Sequence, residues 1–210
     1  MSTLLGTYLL EDRRTGKEVE ATLWQTLEER HAKDFAGKWK PAFQARFEEL
    51  KAAGGPMPEA IAGANLQDAH WRWEEKVARR QDDLSWESFA VEAEGVTQGL
   101  MFTHMGPLIR AREPSQRDQY LVDIDLLATA PWNRFGLVPK PQFKGVGRLL
   151  LAAAVSLSFS EEFAGRIGLH ALPQAESWYR DVCGMTDLGV DDTNMRYFEM
   201  TEAQARAFIK

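Results

Sequence analysis

The sequence predicts an α/β fold, a mixed and mainly antiparallel sheet flanked by helices, on three observations. Apolar residues recur at threes and fours in two early stretches, as on the buried side of a helix. Residues 88–128 hold three extended runs separated by turn residues. Residues 148–155 (RLLLAAAV) follow two glycines and form an almost unbroken apolar run that suits a buried helix. Helices and strands sharing one apolar core pack in layers. With 210 residues and 44% hydrophobic content, the chain suits one domain with a full core.

Taken in order, Leu4 to Leu10 reads as a strand and Asp12 to Gly16 as the turn after it. Thr22 to Lys51 has helical spacing through Leu23, Leu27, Phe35, Trp39, Phe43, Phe47 and Leu50, with Pro41 marking a kink or a fresh start. Ala52 to Pro58 is a loop, and a second helix covers Leu66 to Arg80 with Leu66, Ala69, Trp73 and Val77 inward. Residues 1–80 thus supply a strand plus two helices. Ser88 to Glu94 alternates Phe89, Val91 and Ala93 against Ala90, Glu92 and Glu94. With a turn at Gly95 to Gly99 and a return over Leu100 to Met105, it reads as a hairpin. Tyr120 to Ala128 is the third central strand.

A helix then runs to about Ser160, followed by a short strand, Ile167 to Leu172. Pro173 opens another helix that ends near Cys183, with Gly184 as its stop. A last strand, Met195 to Met200, precedes Thr201-x-x-Gln204, the capping box of a terminal helix.

Composition narrows the function. A net charge of −6 argues against general nucleic-acid binding, which needs a basic surface. The lone Cys183 excludes an internal disulfide framework and suits a reducing, cytoplasmic setting. No basic-then-apolar leader opens the sequence, and no run approaches the ~18 apolar residues of a membrane span. The histidines at 31, 70, 104 and 170 lack metal-ligand spacing, so no metal is expected. Edge strands and the terminal helix leave room for a homodimer.

The most informative segment is Gln142-Phe143-Lys144-Gly145-Val146-Gly147, which opens into Arg148 and the buried helix. Glycines at a helix entrance let a ligand approach the backbone, and the first turn offers free N–H groups and the positive end of the dipole. That combination suits a phosphorylated ligand. A Walker loop would end in Gly-Lys-Ser/Thr, and a dinucleotide fingerprint would have a third glycine at position 150, where leucine stands.

The element order, with Gln142-x-x-Gly145-x-Gly147 after the third central strand, resembles the GNAT superfamily of N-acetyltransferases. Leu126-Leu127-Ala128-Thr129-Ala130-Pro131-Trp132-Asn133-Arg134 precedes the turn like the family's strand and Pro-aromatic-Arg element. Downstream, Ala175-Glu176-Ser177-Trp178-Tyr179-Arg180-Asp181-Val182-Cys183-Gly184-Met185 is similar to the family's aromatic-Tyr helix with its Gly-hydrophobic stop. Phe135 to Pro141, with Pro139 and Pro141, departs as an insertion. Gln142 and Lys144 also stand where two arginines are usual.

The resemblance implies an acetyl-CoA-dependent N-acyltransferase with a small-molecule or protein amine as acceptor and no membrane partner. The coenzyme diphosphate would lie on the backbone of Gln142, Phe143, Lys144, Gly145, Val146, Gly147 and Arg148, with charge from Lys144 or Arg148. The pantetheine arm would meet Leu126, Leu127 and Ala128 on a splayed strand. Tyr179 would protonate the leaving thiolate, since a phenol of pKa about 10 is protonated at neutral pH. A packed tyrosine beside Trp178 is the alternative. Asp123 and Asp125, two apart on one strand face, are candidates for amine deprotonation. The cluster His70-Trp71-Arg72-Trp73 falls where the family often builds its acceptor pocket. A non-catalytic acyl-CoA-binding or sensing module fits the same residues, and the acidic balance argues against a toxin acting on charged tRNA.

Overall fold

The computed structural model describes residues 2–54, 60–61, 63–80 and 83–210. The chain forms two compact units, one from Met1–Asp83, Ser88–Leu100 and Ala128–Gly147, the other from Leu84–Glu87, Met101–Leu127 and Arg148–Lys210.

The first unit opens with β1 (Thr3–Asp12) and β2 (Lys17–Gln25), paired antiparallel from Thr3 opposite Gln25 to Asp12 opposite Lys17. The helical spacing expected over Thr22 to Lys51 is therefore overturned for Thr22 to Gln25 and holds from Glu29 on. Residues 13–16 turn the chain back, with Gly16 at φ +70°, and Ala21 and Leu23 alternate into the core as a strand requires. Leu23 and Leu27 match a helical interval, yet Thr22 and Trp24 between them favour an extended, half-buried surface.

Helix α1 (Glu29–Asp34) starts at a reciprocal capping box between Glu28 and His31 and widens into a π-helical turn, Phe35–Trp39. Helix α2 (Lys40–Ala53) follows with Pro41 in its first turn, where the missing N–H costs nothing. Phe35, Trp39 and Phe43 are buried as expected. Residues 55–58 of the expected loop lie outside the described residues.

Of the second expected helix only α3 (Trp73–Arg80) forms. Asn65 takes a left-handed φ of +56°, and residues 67–70 turn, with Trp71 N–H donating to the Asp68 carbonyl. Leu66 and Trp73 are buried.

Strands β3 (Trp86–Ala93) and β4 (Val96–His104) are joined by Glu94 and Gly95 at φ +52° and +70°, the left-handed pair that a two-residue hairpin turn demands. Thr97 and Gln98 thus belong to the strand rather than to the turn. Their polarity serves packing: Thr97 N–H and hydroxyl donate to Asp34 at 2.8 and 3.0 Å, and Gln98 Oε1 accepts from Trp132 Nε1 and Asn133 Nδ2 at 2.8 and 2.9 Å. A two-residue strand, β6 (Phe143–Lys144), joins β1, giving the order β6-β1-β2-β3-β4.

The second unit contains β5 (Val122–Thr129, through Leu127), β7 (Ile167–Ala171), β8 (Thr186–Val190) and β9 (Arg196–Met200), ordered β5-β7-β9-β8. Pairing of β5 with β7 is parallel; β7–β9 and β9–β8 are antiparallel. Strand β8 is a further departure from the expected order. Helix α4 (Val146–Ser160) is the buried apolar helix, and α5 (Glu202–Phe208) begins at the expected Thr201/Gln204 capping box. The segment from Pro173 holds a 3₁₀ turn, Pro173–Ala175, and a π-helical turn, Trp178–Val182, with Gly184 at φ +68°. No helix among the described residues is long and apolar enough to cross a membrane.

Candidate active site

The glycine turn is held from three sides. Gln142 N–H donates to the Trp132 carbonyl and its own carbonyl accepts from Arg13 N–H, both at 2.8 Å. Phe143 is 2% exposed, and its N–H donates to Asn133 Oδ1 at 3.0 Å. Lys144 lies opposite Glu11 in the ladder and its ammonium reaches the Glu11 carboxylate at 3.1 Å, while Gln142 Nε2 donates to Glu94 at 3.2 Å. The N–H groups of Gln142 and Phe143 therefore have acceptors within the chain. The donors left without intrahelical partners belong to the first turn of α4, from Val146 onward.

Gly145 directs the chain into that turn at φ +106°, and a Cβ there would come within 3.2 Å of Leu10 Cδ2. Only glycine takes this backbone without strain. Arg148 in the first turn donates to the Phe208 carbonyl at 2.5 Å and stacks over the Phe208 ring at 4.2 Å, so its charge is engaged too.

In the second unit, the parallel ladder runs from Val122 opposite Ile167 to Ile124 opposite Leu169 and stops there. Strand β5 continues to Thr129 and β7 to Ala171. The ladder therefore does not reach Leu126 or Leu127, the residues expected to meet an extended ligand. Leu126 and Ala128 are buried and Leu127 half-buried.

Register sorts the acid–base candidates by face. Asp123 sits opposite Gly168, and His170 opposite Tyr197 with ring centroids 4.7 Å apart, so Asp123, His170 and Tyr197 share one face of the sheet. A Cβ on Gly168 would collide with the Tyr197 hydroxyl; glycine lets that ring lie across β7 toward Asp123. Phe198, the next residue, faces the other way, and Tyr179 packs on it at 6.0 Å and against Trp178 at 5.0 Å. The structure thus brings Asp123 together with His170 and puts Tyr179 on the opposite face.

Burial pushes the Asp123 carboxyl up to about 6, against the pull of His170 and Arg112 and with help from Asp125. Asp125 is exposed. Burial also lifts the Tyr179 phenol well above its ordinary 10, so it stays protonated, and pushes the Cys183 thiol up to about 12. Such a thiol is no nucleophile at neutral pH.

His170 Nε2 lies 2.7 Å from Asp191 Oδ2, which also accepts from the Arg112 guanidinium at 2.7 Å. The hydrogen bond from His170 leads the influences that hold Asp191 far below the usual carboxylate range. Glu199, fully buried, accepts from Arg112 N–H at 2.6 Å, and from Glu113 N–H and Gln116 Nε2 at 3.0 Å each. Its bonds from Arg112, Glu113 and Gln116 span 79 to 87 positions of sequence, and no local spacing announces them. Among the described residues no group of acids, histidines and cysteines could hold a metal ion.

No protein-family model and no curated protein matches the chain. Solved structures do. The PaiA N-acetyltransferase of Thermoplasma acidophilum, in complex with coenzyme A, aligns at TM-score 0.52 and 11% identity, over 85% of this chain and 98% of its own. An uncharacterized protein of Bacillus halodurans aligns at TM-score 0.55 and 12% identity, over 99% and 96%. The chain has the GNAT acyltransferase fold.

Both departures from the GNAT pattern are tied into the chain, Gln142 and Lys144 through Glu94 and Glu11. In the insertion, the Phe135 carbonyl accepts from Asn65 Nδ2 at 3.0 Å and the exposed Phe135 ring carries Arg13 at 5.0 Å. Arg134, ahead of the insertion, has a side chain 10% exposed: its Nε donates to the Thr129 carbonyl at 2.7 Å and it pairs with Asp68 at 2.6 Å. It is thus a strut from the end of β5 to the turn before α3. Where the GNAT resemblance suggested an acceptor pocket, His70, Trp71 and Arg72 line a hollow of about 610 Å³ with Phe43, Phe47 and Glu74 among its other walls. Trp73 is core. The acids there are paired, Glu74 with Lys40 at 2.8 Å and Glu75 with Arg72 at 2.9 Å.

Proposed function

We propose that the protein is a coenzyme A-dependent N-acyltransferase that moves an acetyl group from acetyl-CoA to a primary amine by direct attack. The observation that carries this is the ladder that stops at Ile124 and Leu169 while both strands run on. A seam of this kind gives an extended thioester arm backbone partners at Leu126 and Leu127. It also opens the carbonyl to both faces of the sheet.

The amine then approaches from the face of Asp123, whose carboxylate, with a pKa of about 6, accepts the proton lost as the C–N bond forms. The C–S bond breaks toward the other face, where Tyr179 protonates the departing sulfur. Backbone N–H groups near Leu127 polarise the carbonyl, and those of Gly145, Val146, Gly147 and Arg148 receive the diphosphate. Positioning and charge stabilisation supply most of the acceleration.

The burial of Tyr179, 6% exposed, favours a second reading, a non-catalytic acyl-CoA-binding module. Tyr179→Phe decides between them when kcat and coenzyme Kd are measured together over a panel of amines. An enzyme loses about 10²-fold or more in kcat with Kd unchanged. Absence of thiol release from the wild type with every amine supports the binding module.

A further inference from the structure

Strand β1 lies bare along most of its length. Leu4, Leu5, Tyr8 and Leu9 are 49, 42, 41 and 60% exposed, and within Thr3–Leu10 only Leu10 is buried. One edge of β1 pairs with β2 from Thr3 to Asp12, with a register shift at Leu5; on the other, β6 meets only Glu11 and Asp12. Among the described residues no strand pairs with 3–10 on that side.

The direction of the open groups follows from the ladder. Arg13 N–H donates to the Gln142 carbonyl on the β6 side, and amide direction alternates along a strand, so Glu11, Leu9 and Thr7 present theirs to the same side. Natural sheets guard such edges with charge, proline or a covering element. The run Thr-Leu-Leu-Gly-Thr-Tyr-Leu-Leu has no charge and no proline, and charges begin at Glu11.

We propose that this edge joins two copies of the chain, which add β1 to β1 antiparallel about a two-fold axis. An antiparallel edge offers its own copy the matching donors and acceptors, which makes the contact closed and self-complementary. A two-fold at Thr7, whose groups face the open edge, sets Thr7 opposite its own copy, Tyr8 opposite Gly6, and Leu9 of one copy against the bulged Leu4–Leu5 step of the other. Leu4, Leu5 and Leu9 of the two copies then cover one another, Tyr8 lies across Gly6, and no charge faces a like charge. A foreign peptide would find nothing on this uncharged segment to select it. Eight residues at ~3.4 Å make a contact about 27 Å long, which puts the interface toward the small end of specific ones and makes the dimer dissociable on dilution.

Sedimentation velocity from about 1 to about 100 µM, the range of dissociable complexes, tests this on the whole chain. The wild type should move with rising concentration from 23.8 kDa to twice that mass. Thr7→Pro removes an open-edge donor without touching the β2 ladder, and Leu9→Lys puts a charge on the exposed edge; each should stay at 23.8 kDa with an unchanged melting temperature. If Thr7→Pro fails to fold, Leu9→Lys decides. A monomer at every concentration overturns the proposal, as does an assembly that both variants leave intact.

Discussion

Replacing Asp123 with Asn is expected to stabilise the protein above pH 6 and to slow it severely as a catalyst, and both effects have one cause. Burial lifts this carboxyl from an ordinary 3.8 to about 6, outweighing the attraction of His170 and Arg112. A group whose folded-state pKa is raised contributes its stability in full below the unfolded value. That contribution is lost as the pH rises through the folded one, here between about 3.8 and 6. At ~1.36 kcal/mol per pH unit the interval amounts to about 3 kcal/mol, an upper bound because the half-buried carboxylate keeps part of its hydration. With an m-value of about 2–3 kcal/mol/M, Asp123→Asn should raise the urea midpoint by up to about 1–1.5 M at pH 8. The two midpoints should converge near pH 4. A variant less stable than wild type at pH 8, or an offset of equal size at both pH values, would refute the reasoning. On the proposed mechanism, kcat/KM of the wild type should fall below a pKa near 6, and Asp123→Asn should remove that limb with the activity.

Two further changes probe the scaffold. Asp68→Ala leaves the largely covered Arg134 guanidinium with only the Thr129 carbonyl and should cost up to about 3 kcal/mol in urea unfolding, whereas adding Arg134→Met should recover part of it; a double variant as unstable as the single would contradict a desolvated ion pair. Gly145→Ala forces a side chain onto a backbone at φ +106° and should destabilise by about 1–3 kcal/mol, seen as a lower thermal midpoint, while an unchanged midpoint would show that the turn carries no strain.

What the sequence made legible was local. The capping box at Thr201, the buried helix behind Gly147, the glycine stop at Gly184 and the alternation in β3 each depend on neighbours a few residues away. The errors lie where distant partners decide. Lys17–Gln25 is a strand because β1 and β3 flank it on both edges, although its leucines mimic a helical interval. Thr97 and Gln98 look like turn residues until Asp34, Trp132 and Asn133 appear beside them. The glycine turn was legible as a cradle, but β6, Asn133 and Trp132 claim the first N–H groups and shift the open donors into α4. Asp123 was legible as a costly acid in an apolar strand. Its neighbours His170 and Arg112 come from separate segments, and the pairing of β5 with β7 is what sets His170 on its face.

The central claim is that the turn at Gly145 receives the diphosphate of coenzyme A, and calorimetric titration of the wild type with acetyl-CoA tests it most directly. The account predicts saturable one-to-one binding with a Kd in the micromolar range, about −7 to −8 kcal/mol, weakened at least tenfold when Gly145 is replaced by Val. No heat of binding up to about 1 mM coenzyme, or equal affinity in Gly145→Val, would contradict it.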